Sequence, residues 1–193
     1  GMVEDFPSYY ADITGEVITK NHTPRPRIVI PYLDESGTPF MAACRTLPGD
    51  NSTKYMYVFK DKDNLPDSRV YGLWRVDTNK KFFVTEGQFD SLFLSNAISI
   101  GGTNYSKNSF LREHKDNAII VPDNDWRVNK EVRKSITLAI LAGFSVAFLP
   151  QNDMCKDIND FILAGYDSKY IENALFSNVM SGMKATAFLK LSS

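Results

Sequence analysis

Cysteine and histidine are scarce in this sequence, two of each among 193 residues. Cys44 and Cys155 stand far apart, and neither they nor His22 and His114 form a Cys-x-x-Cys or His-x-x-x-His spacing. That argues against a structural zinc site, so no zinc is expected. Two unpatterned cysteines suit a reducing compartment. A run of about 18 apolar residues is missing, which excludes a membrane-spanning helix. The first residues lack both the basic and the apolar region of a secretory signal, so the expected location is cytoplasmic, with no membrane partner. Neither sign of charge is in excess: 22 basic residues meet 23 acidic ones, for a formal net charge of −1. Such a balance excludes a broad basic glove for nucleic acid. Contacts to phosphate must then come from local Lys and Arg, or from metal ions bridging carboxylates to phosphate. Internal repeats and low-complexity tracts are absent as well.

What is present is core material, 43% hydrophobic and 12% aromatic, sufficient for one sizeable core with a small companion subdomain. Up to about Lys80 the chain is rich in turns: Thr23-Pro24-Arg25-Pro26, Asp34-Glu35-Ser36-Gly37, Pro48-Gly49-Asp50-Asn51 and Asp61-Lys62-Asp63-Asn64. Between them run Arg27–Tyr32, Pro39–Cys44 and Lys54–Phe59, which predict an antiparallel or mixed sheet with a hairpin at Asp34–Gly37. From Lys81 the pattern changes to strand and helix in alternation. Phe82–Thr85, Ala97–Ile100, Ala118–Val121 and Ser145–Leu149 read as buried strands, and Gln88–Ser95 as a helix. Val128, Val132, Ile136, Ala139 and Ile140 share one face of a longer helix that Gly143 ends. The expected class is α/β, a parallel sheet of about four strands covered on both faces, with a smaller α+β N-terminal subdomain.

Acidic residues recur directly after these strands. Glu86 and Asp90 follow the first, and Asp123 and Asp125 follow the third. Carboxyl ends of parallel strands share one rim, where ligand crevices form. Glu86, Asp123 and Asp125 should therefore meet there, with Asp90 one helical turn beyond Glu86. Grouped hard oxygens suit Mg²⁺ or Mn²⁺, and apposed carboxylates repel unless a cation neutralises them. Gly87 would ease a sharp turn from strand into helix. Lys156-Asp157-Ile158-Asn159-Asp160, after the fourth strand, offers another acid in Asp157 but equally reads as a helix cap. Each motif alone has such a structural reading, as a cap, a dipole partner or a turn. Three at one rim point to a site.

Glu86-Gly87-Gln88-Phe89-Asp90 followed by Asp123-Asn124-Asp125 resembles the Toprim domain, shared by bacterial and phage DNA primases, topoisomerases, OLD-family nucleases and recombination mediators. Upstream, Arg27–Tyr32, Gly37, Cys44-Arg45-Thr46-Leu47, Thr53-Lys54-Tyr55 and Val70-Tyr71-Gly72-Leu73 are similar to the primase polymerase core. Gly101-Gly102-Thr103 and Lys156–Asp160 look like later primase elements. The resemblance implies a Rossmann-like Toprim sheet over 81–165, a primase-like subdomain over 1–80 and a helical segment over 166–193. It implies synthesis of RNA primers on single-stranded DNA from ribonucleoside triphosphates, with Glu86, Asp123 and Asp125 catalytic. The same three residues, with Asp90 and Asp157, would hold Mg²⁺ or Mn²⁺. Arg45, Lys54 and Lys156 would contact substrate or template. A fragment or minimal phage-type enzyme is expected, with a replicative helicase as a partner through other domains. An OLD-like nuclease and a non-catalytic binding module are the alternatives. Two departures stand out: Trp126-Arg127 replace the small residue and glycine common after the second Asp, and Asn159 stands where an acid is frequent.

Overall fold

The structure, a computed structural model, describes residues 1–15, 25–61, 63 and 69–192. His22, Thr23 and Pro24, and Lys62 and Asn64 of the predicted turns, lie outside the described residues. Two units divide the chain, Gly1–Asp67 and Ser68–Ser193.

In the first unit, β1 (Met2–Val3) precedes α1 (Phe6–Thr14), and β2 (Arg27–Leu33), β3 (Pro39–Thr46) and β4 (Tyr55–Phe59) follow. The four strands form one antiparallel sheet in the order β1-β2-β3-β4. The hairpin forms where Asp34 lies. Its Oδ1 accepts the backbone N–H groups of Ser36 and Thr38, both at 2.9 Å, and Gly37 supplies the left-handed conformation at φ 82°. The local core joins Phe6, Ala42, Cys44 and Val58. Arg27, only 4% exposed, donates to the carbonyls of Cys44 and Thr53 and lies over the Phe6 ring, so its buried charge is compensated.

The second unit carries β5 (Phe82–Thr85), α2 (Gln88–Leu92), β6 (Ala97–Ser99), α3 (Ser109–Glu113), β7 (Ala118–Ile120), α4 (Lys130–Leu141) and β8 (Ser145–Val146). After them come α5 (Ile158–Leu163), α6 (Ser168–Ser177) and α7 (Gly182–Leu191). The strands are all parallel, in the order β6-β5-β7-β8. Chain direction across the sheet reverses at β5, which puts a topological switch point between β5 and β7.

Alternate residues divide between two cores. Phe82, Val84, Ile98, Ile120 and Val146 join one cluster with residues of α4 and α7. Phe83, Ala97, Ile119 and Ala147 join the other with residues of α5 and α6. Helices on both faces explain why these strands read as continuous apolar runs. Each large apolar side chain so buried contributes about 1.5–3 kcal/mol.

Three local expectations are corrected. Helix α2 stops at Leu92, short of the predicted Ser95. The ladder of β8 ends at Val146, because Phe148 turns its backbone N–H and C=O to the side-chain amide of Asn178 at 2.9 and 2.7 Å. Val128 is 86% exposed and precedes α4. The helix starts at Lys130, since the Asn129 side chain caps the N–H groups of Glu131 and Val132. The rest of that face, Val132, Ile136, Ala139 and Ile140, is buried as expected, and Gly143 follows the helix at φ 92°.

Candidate metal centre

Three loops at the carboxyl rim of the parallel sheet are tied together by neutral hydrogen bonds. After β5, the Thr85 hydroxyl sits between the carbonyls of Gly87 and Ile98, at 2.9 and 3.2 Å, while the Ser99 hydroxyl donates to Glu86 O at 2.9 Å. After β7, the Asn124 amide donates to Pro150 O and Cys155 O, both at 3.1 Å. Its backbone N–H donates to Lys156 O at 2.6 Å. The first turn of α5 is fixed to α2 in turn, through a carboxylate this time, because the Asn159 N–H donates to Asp90 Oδ1 at 2.9 Å.

Glycine 87 has a different role from the expected one. At φ −91° and ψ 145° its backbone is ordinary extended chain, so no special torsion is needed. A Cβ at this position would collide with Asp90 Oδ2. Glycine here leaves space for the Asp90 carboxylate rather than easing a sharp turn.

These ties bring the predicted acids together. Glu86 Oε1 accepts the backbone N–H of Asp123 at 3.5 Å and the hydroxyl of Tyr105 at 3.3 Å. Lys156 Nζ lies 3.6 Å from Asp123 Oδ2 and 3.8 Å from Asp125 Oδ2. Asp157 caps α5, its side chain accepting from Asp160 N at 2.9 Å, which is the capping role the sequence offered for it. Arg45 and Lys54 lie in the first unit, each beside the Tyr55 ring, at 5.8 and 5.9 Å from its centroid. Trp126 is fully buried against Phe148 and Phe188, so it packs and offers no face to a base.

Electrostatics follow from burial and like charge. Burial, then Glu86, Asp90 and Asp157, push the Asp123 carboxyl up to about 8, against the pull of Lys156. Burial and the charge of Asp157 raise Asp90 to about 6, although the Asn159 N–H favours its ionised form. Glu86 is raised by burial and by Asp125, with the N–H of Asp123, the Tyr105 hydroxyl and Lys156 opposing. Lys156 is lowered by burial but raised on balance by Asp123, Asp125 and Asp157. Glu86, Asp90, Asp123, Asp125 and Asp157 thus share one electrostatic site with the Lys156 ammonium beside it.

Among the described residues, no group of three or more His, Cys, Asp or Glu side chains is poised to hold an ion directly. Yet Asp125 Oδ1 is buried without a hydrogen-bond partner, an expensive state for a carboxylate oxygen. The donor set is all hard oxygen and partly solvated, with Asp123 and Asp125 side chains 16% and 27% exposed. That chemistry fits a divalent cation such as Mg²⁺, which retains several waters and takes few protein ligands. Alongside, a cavity of 270 Å³ is lined by Asp125, Lys156, Arg127, Gln151 and Asn152. Sequence reasoning missed Tyr105 and Asn124. Tyr105 follows a glycine-rich turn without any motif of its own, whereas Asn124 was visible inside Asp-x-Asp but read as a turn residue.

No family model matches the chain. In sequence it is similar to the DNA primase of Enterobacteria phage T4, 28% identical over 179 residues that cover 89% of this chain and 50% of that protein. In structure it is similar to the E. coli primase catalytic core, with a TM-score of 0.66 at 18% identity, covering 95% of this chain and 63% of that one. The primase fragment of the bacteriophage T7 primase-helicase protein gives 0.55 at 22% identity, covering 85% and 69%. The fold is that of the primase catalytic core with its Toprim-type sheet, and the chain's homologues are DNA primases. The chain spans about half the length of the curated relative it matches.

Proposed function

We propose that this chain, a homologue of the DNA primases, is a primase catalytic core that joins ribonucleotides into short primers on a single-stranded DNA template. The observation that carries the reading is the meeting of Glu86, Asp123 and Asp125 at the switch point, with Asp125 Oδ1 buried and unpartnered. Glu86 and Asp123, raised by burial and by neighbouring acids, suit neutralisation by a cation. Glu86, Asp123 and Asp125 would hold Mg²⁺ or Mn²⁺, with Asp90 and Asp157 beside them. When bound, such ions stabilise the charge of a transferring phosphoryl group and its leaving oxygen.

The chain's own residues do the rest. Asp123, held up to about 8, and Glu86, raised by burial, would lose their protons more readily beside a bound cation. Lys156, close to two carboxylates, would then be free to meet the triphosphate as a point charge. The neighbouring cavity, with Arg127 in its wall, gives the substrate room. Arg45 and Lys54 are assigned to phosphate contacts of substrate or template. A primase catalytic domain has been captured with single-stranded DNA, and the T7 fragment comes from a primase-helicase protein. By that likeness, template DNA and a replicative helicase are the partners proposed here. No helix among the described residues is long and apolar enough to cross a membrane, and a cytoplasmic setting is proposed.

A primer-synthesis assay tests this directly, using single-stranded template, ribonucleotides and Mg²⁺ or Mn²⁺. Short RNA products should form with the wild type and fall at least about 100-fold in Asp123→Ala, given several kcal/mol from the metal. Template degradation in the same tubes would instead identify an OLD-like nuclease. No product and no degradation would leave a binding module and overturn the reading.

A further inference from the structure

Tyr105 is fully buried, and a buried phenol requires a partner for its hydroxyl. Its partner is Glu86 Oε1, at 3.3 Å. The residue stands in a short 3₁₀ turn, Tyr105–Lys107, directly after the Gly101–Asn104 loop that follows β6. The Ser135 hydroxyl on α4 fixes this loop by donating to Thr103 O at 2.6 Å. The ring itself belongs to the same core as Val84, Ile120 and Trp126. Tyr105 is therefore held by packing, and its hydroxyl is the one polar group it brings to the acids. Glu86 Oε1 receives both that hydroxyl and the Asp123 N–H, so two protein donors converge on one oxygen of the carboxylate.

We propose that Tyr105 is a positioning residue for the metal centre: its hydroxyl, held in the core, clamps Glu86 Oε1 and leaves Oε2 oriented for the cation. The assignment rests on the metal-centre reading above. Orienting partners of this kind typically change metal affinity by about 10–100-fold when removed. A phenol is well suited to the task. It is neutral, so it adds no charge to compete with the cation, and its rigid ring has few torsions to lose.

The test is a double-mutant cycle on the full chain read by Mn²⁺ binding, using the electron paramagnetic resonance of free Mn²⁺, with melting curves taken in EDTA and in Mn²⁺. Tyr105→Phe keeps the ring and removes only the hydroxyl. Mn²⁺ affinity should fall about tenfold, and the rise in Tm produced by Mn²⁺ should shrink while the metal-free Tm stays within about 2 °C. In a Glu86→Gln background, Tyr105→Phe should add less than twofold, because both changes act through the same carboxylate. Equal Mn²⁺ affinity in Tyr105→Phe and wild type would overturn the assignment while leaving the metal centre intact. So would additive losses in the cycle, or a metal-free Tm that drops as far as the Mn²⁺-bound one, since either marks a purely structural hydroxyl. Failure of the wild type to bind Mn²⁺ would remove the metal centre itself and the assignment with it.

Discussion

Metal-free, this protein should lose stability as pH rises from 6 to 8.5. The reason is Asp123, held up to about 8, and Asp90, held up to about 6, by burial and by neighbouring acids. An unfolded aspartate ionises near 3.9, so above that pH the native state keeps protons that the unfolded chain has released. Stability from these groups is then complete below about pH 4 and drains away until pH passes about 8. One retained proton corresponds to about 1.4 kcal/mol per pH unit, which sets a ceiling of about 6 kcal/mol for Asp123 over the whole window. Glu86, Asp90 and Asp157 share the same repulsion, and small movements relieve all of it together. We expect about 2 kcal/mol between pH 6 and 8.5, a fall in Tm of about 4–8 °C for a chain of this size. Asp34, Asp50 and Asp77 are lowered by their hydrogen bonds. Their contributions change below pH 4 and leave the window clear. The assay is calorimetry in EDTA at several pH values on wild type and Asp123→Asn. The variant should show a shallower slope, exceed the wild type in Tm at pH 8.5, and gain nothing from Mn²⁺. Saturating Mn²⁺ at 100 times its Kd should restore about 2.7 kcal/mol to the wild type. A wild-type Tm that is flat or rising from pH 6 to 8.5, or an equal slope in the variant, would refute this account of the cluster.

Other perturbations separate space, scaffold and charge. Gly87→Ala should cost only about 1 kcal/mol in urea unfolding, since the Asp90 carboxylate it strikes can swing away. Mn²⁺ affinity should fall about tenfold as Asp90 leaves its Asn159 N–H, and unchanged affinity would disprove the steric role. Asn124→Ala should destabilise by about 1–3 kcal/mol by leaving Pro150 O and Cys155 O without a donor. A change below about 0.5 kcal/mol in the same assay would show that those carbonyls find water. Lys156→Met should lower metal-free stability by less than about 1 kcal/mol, because the ammonium is half exposed. If Lys156 serves the triphosphate, primer synthesis in this variant should show a raised KM for nucleotide at saturating Mg²⁺; an unchanged KM would deny it that role.

The parallel sheet was legible because both of its faces are covered. Phe82–Val84 and Ala118–Val121 are wholly apolar and acids follow within two residues, a pattern that few other local structures produce. The convergence of Glu86 with Asp123 followed from topology alone, since parallel neighbours end together. What escaped the sequence depends on contacts between distant residues. Helix α1 lay hidden in a turn-rich stretch, because its evidence is a cap from Asp5 and the burial of Phe6. Val128 looked apolar enough for the face of α4 but falls before an Asn cap that starts the helix two residues later. Tyr105 carries no motif, and only its burial beside Glu86 gives it meaning.

The ties among the loops explain how so unfavourable a cluster persists without its cation. Thr85, Ser99, Asn124 and the backbone of Asn159 position the acidic loops through neutral donors. Most of those bonds end on backbone carbonyls, so the carboxylates themselves receive little compensation. Asp90 and Glu86 take weak or single donors, and Asp125 Oδ1 takes none. A scaffold that satisfied every acid would be more stable and would have no reason to admit an ion. Here the backbone is held and the charges are left wanting, which places the binding free energy of a cation where repulsion was stored. In the proposed metal centre, Asn124 and Thr85 would govern whether the site exists, whereas Glu86, Asp123 and Asp125 would govern what it binds. Substitutions in the first group should therefore appear in unfolding curves, and those in the second in metal titrations.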